Sequence, residues 1–273
     1  MNFNPSTQIN LFEHKEIFNQ LSKLYKNNNL PNKILLSGEK GIGKSTLAYH
    51  LINFVLSENE EKPYDYENNK IDPENKSYKL IQNKSNPNFY QIDVKEDKKS
   101  IDINQIRELI LNLNKSSFNK KKRFVLIDNI ELLNLNSINA LLKILEEPNE
   151  NINFILINNN KKVLPTLKSR CLNFKVFLTK DQSVHIINKL LKDDISKTIN
   201  YELFDYYITP GKLFKIIKLS HDCKIDLANL DLKTTLKTMI KDKIYKKDKS
   251  ITEIIHSFIE LYFRNNISIE NIS

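Results

Sequence analysis

The chain has 273 residues, room for two or three small domains, and a hydrophobic share of 40%, enough for ordinary globular cores. Lys and Arg number 42 against 33 Asp and Glu, for a net charge of +9. That balance permits contact with nucleic acid, but it is spread through a chain rich in Lys, Asn and Ile. No run approaches the roughly 18 apolar residues of a membrane helix, and the first residues lack the basic-then-apolar order of a signal peptide. The two cysteines, Cys171 and Cys223, form no Cys-x-x-Cys pair, and the five histidines stand singly without ligand spacing. A soluble, reducing, cytoplasmic setting is expected, with no zinc site, no disulfide framework and no membrane partner.

Residues 8–28 read as a helix through Leu11, Phe18, Leu21 and Leu24, broken by Pro31. Ile34-Leu35-Leu36 is a short buried strand running into a glycine loop, and Lys44 to Leu56 resumes helical spacing. Residues 57–86 are polar, contain Pro63 and Pro73, and read as a surface insertion. Phe89 to Val94 alternates like a strand, and Ser100 to Leu113 reads as a helix. The run Lys120 to Arg123, read as a solvated turn, leads into the apolar strand Phe124–Ile127, which ends at Asp128. Ser137 to Glu147 is a helix stopped by Pro148, and Phe154–Ile157 is a buried strand ending at Asn158. Leu164 to Ser169 is a short turn or helix, and Leu172 to Phe177 a last strand. Apolar strands alternating with helices indicate an α/β fold, a parallel five-stranded sheet covered on both faces. Beyond it, residues 179–192, 197–208 and 211–220 read as short helices, followed by Leu230–Tyr245 and Ile251–Phe263. The expected organisation is an α/β core over 1–178, a small helical domain over 179–222 and a short helical piece over 223–273.

Three of the four glycines fall in Ser37-Gly38-Glu39-Lys40-Gly41-Ile42-Gly43-Lys44-Ser45-Thr46. Gly38 to Ser45 fits G-x-x-x-x-G-K-[ST] in full. Such glycines let successive backbone N–H groups face phosphate oxygens, with Lys44 reaching the β/γ phosphates and Ser45 binding Mg²⁺. A strand before and a helix after are the context this motif requires. The implied cofactor is ATP or ADP with Mg²⁺; a tight turn, or a loop that no longer binds, are the competing readings. Asp128 at a strand end suits the second Mg²⁺ position or a strand-end cap. Hydrolysis ordinarily needs a further carboxylate, most often directly after that aspartate. Here Asn129 stands there, and an amide cannot accept a proton from water. Glu131, three residues after Asp128, is the nearby candidate. Asn158 would face a γ-phosphate or simply form a turn. Arg170 reads as an arginine finger for a neighbouring subunit or as a surface salt bridge.

Together, Ala140-Leu141-Leu142-Lys143-Ile144-Leu145-Glu146-Glu147-Pro148, a strand, and Leu164-Pro165-Thr166-Leu167-Lys168-Ser169-Arg170-Cys171 resemble the AAA+ clamp-loader subunits of bacterial DNA polymerase III. The likeness spans roughly residues 10–178. Asn129, Asn158, and the stretches Pro87-Asn88-Phe89 and Ser100 to Leu109 look more like delta-prime subunits than the ATP-hydrolysing gamma/tau subunits. The resemblance implies an AAA+ P-loop core, a helical lid and a helical collar. It also implies a subunit that binds nucleotide with little or no hydrolysis, while Arg170 enters the ATP site of an adjacent gamma/tau subunit. The implied partners are gamma/tau and delta subunits in a hetero-pentamer, the sliding clamp and primed DNA. A catalytically active AAA+ ATPase is the alternative. Lys212 stands where the family's lid often carries a nucleotide-sensing arginine, keeping the charge but not the fork. The family's four-cysteine zinc module has no counterpart here, since no cysteine lies between residues 57 and 100, and the last piece is short for a collar.

Overall fold

A computed structural model of the chain describes residues 4–95, 98–115, 121–146, 151–204, 208–246 and 249–266. Lys120, Glu147 and Pro148, used above, lie outside the described residues. The chain divides into two compact units, Met1–Phe177 and Leu178–Ser273.

The first unit is built on β1 (Lys33–Ser37), β2 (Phe89–Ile92), β3 (Arg123–Ile127), β4 (Ile152–Asn158) and β5 (Leu172–Lys175). They form one parallel sheet in the order β2-β3-β4-β1-β5. β3 and β4 are buried along their whole length, which is why they read as unbroken apolar runs. The chain leaves β1 for the far edge and returns strand by strand, then passes β1 to add β5 on its other side. β1 is thus lodged between β4 and β5, with Ser37 opposite both Asn158 and Lys175. In open sheets of this kind, ligands sit outside the carboxyl ends of the strands where the order reverses.

The helices of this unit are α1 (Lys15–Lys26), α2 (Lys44–Leu56), α3 (Lys76–Gln82), α4 (Ile103–Leu113), α5 (Leu135–Glu146) and α6 (Pro165–Lys168). Leu35, Val125, Ile127, Phe154 and Leu156 on one sheet face share a core with Ile106 and Leu109 of α4 and Leu141 and Leu145 of α5. α2 packs against β4 and α1. Ten of its thirteen residues are buried, so it is an inner helix and its polar side chains require partners. His50 has them: Nδ1 lies 2.8 Å from the Tyr64 hydroxyl and Nε2 3.1 Å from the Gln8 carbonyl. A carbonyl only accepts, so Nε2 carries the proton and Tyr64 donates to Nδ1.

Three stretches depart from their periodicity. The first helix begins at Lys15 because residues 9–11 pair with the insertion instead: Leu11 N–H donates to Asn69 O at 3.0 Å and Ile71 N–H to Ile9 O at 2.8 Å. The insertion is therefore not all surface. It buries Tyr64, Ile71 and Ile81 and contains α3, capped by Asn75, whose side chain accepts from Tyr78 N–H at 2.8 Å. Its apolar residues are too sparse to show a period. In the second unit, 197–204 is not an α-helix, and residues 205–207 of the expected helix lie outside the described residues. Two 3-10 turns, Ile195–Lys197 and Tyr201–Leu203, are started by Asp194 and Asn200, whose side chains take the N–H groups of Ser196 and Glu202.

The second unit holds α7 (Lys180–Leu191), α8 (Pro210–Cys223), α9 (Leu232–Lys241) and α10 (Lys249–Asn266). One apolar cluster, from Ile187 through Leu213, Leu232 and Met239 to Phe258, runs through all four helices. No helix among the described residues is long and apolar enough to cross a membrane.

Burial pushes the His50 imidazole down to about 4 from an ordinary 6.5. The unfolded chain takes up this proton near the ordinary value and the folded chain only near the lowered one. The resulting stability is complete above the unfolded value and is lost as pH falls from there towards the folded value, a contribution of about 3 kcal/mol. Urea unfolding followed from about pH 7 to about pH 5 should show this loss, and His50→Gln should flatten it. Parallel profiles for the two proteins would exclude the assignment.

Candidate functional site

The glycine loop follows β1 and ends at α2, as the motif requires. Its glycines meet two different constraints. A Cβ at Gly38 would lie 2.2 Å from the Val176 carbonyl oxygen, so the backbone passes β5 too closely for any side chain. Gly43 has φ 95°, a left-handed conformation that favours glycine, and it caps α2. Lys44 starts α2 and is 3% exposed. Its ammonium donates to the carbonyls of Gly38 at 2.9 Å and Glu39 at 2.5 Å. Burial holds the Lys44 amine down at about 8, against the opposing pull of Asp128, Glu131 and Glu39. Ile42 is buried inside the loop, Gly41 and Lys40 are exposed at its tip, and Thr46 is half-buried in the first turn of α2.

The Ser45 hydroxyl donates to Asp128 Oδ2 at 2.5 Å, which joins α2 to the end of β3. Burial raises the Asp128 carboxyl above its ordinary value, with Ser45 opposing the shift and Asp93 adding to it. A hydroxyl and a carboxylate are hard oxygen donors of the kind Mg²⁺ takes. A desolvated ammonium among loop N–H groups is what a phosphate would neutralise. The residues present therefore fit a nucleotide phosphate with its metal: Lys44 and the loop backbone for oxygen atoms, Ser45 and Asp128 for Mg²⁺.

Asn129 has φ 54° and is held at both ends of its amide. Its Nδ2 donates to Asp93 Oδ1 at 2.7 Å, and its Oδ1 accepts from Asn159 Nδ2 at 2.8 Å. Asn159 also donates to both Glu131 oxygens, from Nδ2 at 2.9 Å and from its backbone N–H at 3.3 Å. Glu131 thus bonds towards β4. The Asn158 side chain closes its own turn with Lys161, while its carbonyl accepts from Gly38 N–H at 3.2 Å. Arg170 follows α6 and donates to Thr166 O at 2.7 Å and Glu146 Oε1 at 2.5 Å. Its neighbour Cys171 is half-buried in the α4/α5 core, with its thiol pushed up to about 11 by burial. Lys212 belongs to the second unit, exposed in the first turn of α8, where its N–H meets Thr209 Oγ1 at 3.4 Å.

The structure thus gathers Gly38, Lys44, Ser45 and Asp128 into one site and gives Asn158 and Arg170 other bonds. Sequence reading passed over Asp93, Asn159 and His14. Asp93 had a signal, since it ends a parallel strand beside the one ending at Asp128. Asn159 and His14 had none, because their partners are distant in sequence.

A parallel sheet in this order with a P-loop after β1 and an aspartate after β3 defines an AAA+ type of core. The family model described as DNA polymerase III, delta subunit matches residues 13–179, well over half of the chain, and the chain belongs to that family. A DNA polymerase III subunit gamma from Buchnera aphidicola subsp. Schizaphis graminum is 26% identical, over 85% of this chain and 62% of its own length. A DNA polymerase III subunit delta' from Pseudomonas aeruginosa is 32% identical, over 50% of this chain and 40% of its own length. The chain thus spans less than two thirds of these curated relatives. Among solved structures, a DNA polymerase III gamma subunit-related protein from Thermotoga maritima aligns with TM-score 0.47 and 20% identity, covering 81% of this chain and 66% of that one.

Two substitutions follow from the packing. Gly38→Ala must displace β5 or the loop, with an expected loss of about 1–3 kcal/mol by chemical unfolding. Asp128→Asn keeps the side-chain shape and removes the carboxylate charge offered to Mg²⁺. Fluorescent-ATP titration with Mg²⁺ against EDTA should show that the metal no longer improves affinity. A retained Mg²⁺ effect would separate Asp128 from the metal.

Proposed function

We propose that this chain is a delta-prime-like subunit of the DNA polymerase III clamp loader, one that binds nucleotide and turns it over slowly or not at all. The single observation that carries the reading is Asn129. It follows Asp128 directly, where a water-activating carboxylate would be expected, and its amide is held between Asp93 and Asn159. An amide so held neither accepts a proton nor swings aside for another group. Bound Mg²⁺ would neutralise phosphate charge. The chain's own share is to surround the phosphates with loop N–H groups and Lys44 and to offer Ser45 and Asp128 to the metal.

In this role Arg170 acts outside its own site, stabilising phosphate charge in a neighbouring gamma/tau subunit. Its support is position: it is 34% exposed at the end of α6, steadied by Glu146 and Thr166 but not enclosed. Partners would be gamma/tau and delta subunits in a hetero-pentamer acting in the cytoplasm on the sliding clamp and primed DNA. The reading is tested by equilibrium ATP and ADP binding to the isolated chain beside its steady-state ATPase rate. Binding without turnover is expected, and Arg170→Ala should lower the reconstituted loader's ATPase by at least about tenfold. Brisk turnover by the isolated chain, with an unaffected loader in Arg170→Ala, would sink it.

A second reading, an active ATPase of the same superfamily, draws on Glu131, whose charge reaches Lys44, and on the gamma relatives. It requires ATP turnover that Glu131→Gln abolishes while leaving ATP affinity intact.

A further inference from the structure

His14 stands at the entry to α1, 28 positions before Ile42 in sequence. Its backbone carbonyl accepts from Phe18 N–H at 3.0 Å and so begins the helix, while its side chain makes no cap bond. Instead, the ring is buried at 4% exposure, with Nε2 2.6 Å from the Ile42 carbonyl oxygen. A carbonyl oxygen only accepts, so Nε2 is the protonated nitrogen and donates. The ring also lies over the next residue: a Cβ on Gly43 would point at Nε2, 3.2 Å away. Burial above all, with Lys44 alongside, keeps the imidazole neutral against the Ile42 bond and Glu13, which favour its charge.

We propose that His14 is a positioning residue for the glycine loop: by pinning the Ile42 carbonyl on one side, it aims the Gly43 N–H into the phosphate cradle on the other. The reason is the geometry of one peptide plane. In a trans peptide, C=O and the following N–H point in opposite directions, and the plane turns as a unit. The Ile42–Gly43 plane turns about Ile42 ψ and Gly43 φ, and Gly43 is left-handed at φ 95°. Because glycine takes φ of either sign about as readily, Gly43 offers little resistance on its side to a flip of that plane. An anion nest works only if its N–H groups converge. Without a bond on the Ile42 oxygen, the Gly43 N–H would spend part of its time facing away from a ligand. A buried hydrogen bond to the Ile42 oxygen removes that freedom before any ligand arrives. The loop is then pre-organised by a side chain from outside the P-loop motif, and the segment ahead of α1 is mechanically tied to the nucleotide site.

The functional consequence rests on the nucleotide-binding reading above, so the test has one readout with nucleotide and one without. In the full chain, His14→Leu fills the space without a donor, whereas His14→Gln restores an N–H. ADP·Mg²⁺ affinity is read with a fluorescent analogue, and amide exchange of residues 38–46 is read without nucleotide. His14→Leu should lose about tenfold in affinity, the worth of one hydrogen bond, and speed loop exchange by a similar factor. His14→Gln should recover most of both. Nitrogen-15 shifts of the wild-type ring should place the proton on Nε2, a readout that holds even if His14→Leu does not fold. Wild-type loop exchange in His14→Leu, equal losses in both variants, or a proton on Nδ1 would overturn the inference. Loop exchange that responds to His14→Leu in a chain that binds no ADP would support the pinning and reject the nucleotide reading.

Discussion

The first unit is organised around a buried ammonium. Lys44 is almost wholly removed from water in an apolar α/β core, where an uncompensated charge would be costly. Each feature of the site bears on that charge. Two loop carbonyls accept hydrogen bonds from it, which requires the chain to wrap tightly between Gly38 and Lys44. The wrap requires no side chain at Gly38, where β5 passes too closely. Asp128, brought beside α2 from the end of β3, supplies the opposite charge. The order β2-β3-β4-β1-β5 makes this possible, because it places the loop where strand ends open towards one crevice.

Around that charge the polar groups at the strand ends are paired with one another. Asp93, Asn129, Asn159 and Glu131 form a continuous chain of hydrogen bonds across three strand ends. The Asn129 amide, which follows Asp128 directly, is bonded at both its ends within this chain. Arg170 differs in kind. Its bonds to Glu146 and Thr166 are at the surface, where an ion pair contributes little and exchanges readily. This contrast between a locked interior network and an accessible arginine is the physical content of the proposed division of labour with a neighbouring subunit.

Much of the fold was legible because it depends on local patterns. The apolar runs at 34–36, 124–127 and 154–157 could only be buried strands, and α2 and α5 fell close to their expected limits. The P-loop was legible as well, because each of its residue types answers a backbone or phosphate requirement within ten positions. The reading was poorer where a segment's partner lies elsewhere. Residues 9–11 read as part of the first helix through Leu11, yet they pair with 69–71, whose pattern shows nothing. Tyr64, Ile71 and Ile81 looked like isolated apolar residues in a polar insertion and turned out to be core. In 197–204, Asp194 and Asn200 side chains bond backbone N–H groups two residues on in place of a helix, a competition invisible to hydrophobic spacing.

The sequence by itself determined the α/β class, the full phosphate-loop motif, and the absence of a carboxylate directly after Asp128, since these follow from residue type and near spacing. Tertiary structure decided how the site's side chains are spent. The amide of Asn158 turns into its own loop, Asn159 joins Asn129 to Glu131, and His14 reaches the Ile42 carbonyl from 28 residues away. Hydrogen bonds select by direction and distance in space, and those quantities exist only once the strands have been ordered into a sheet.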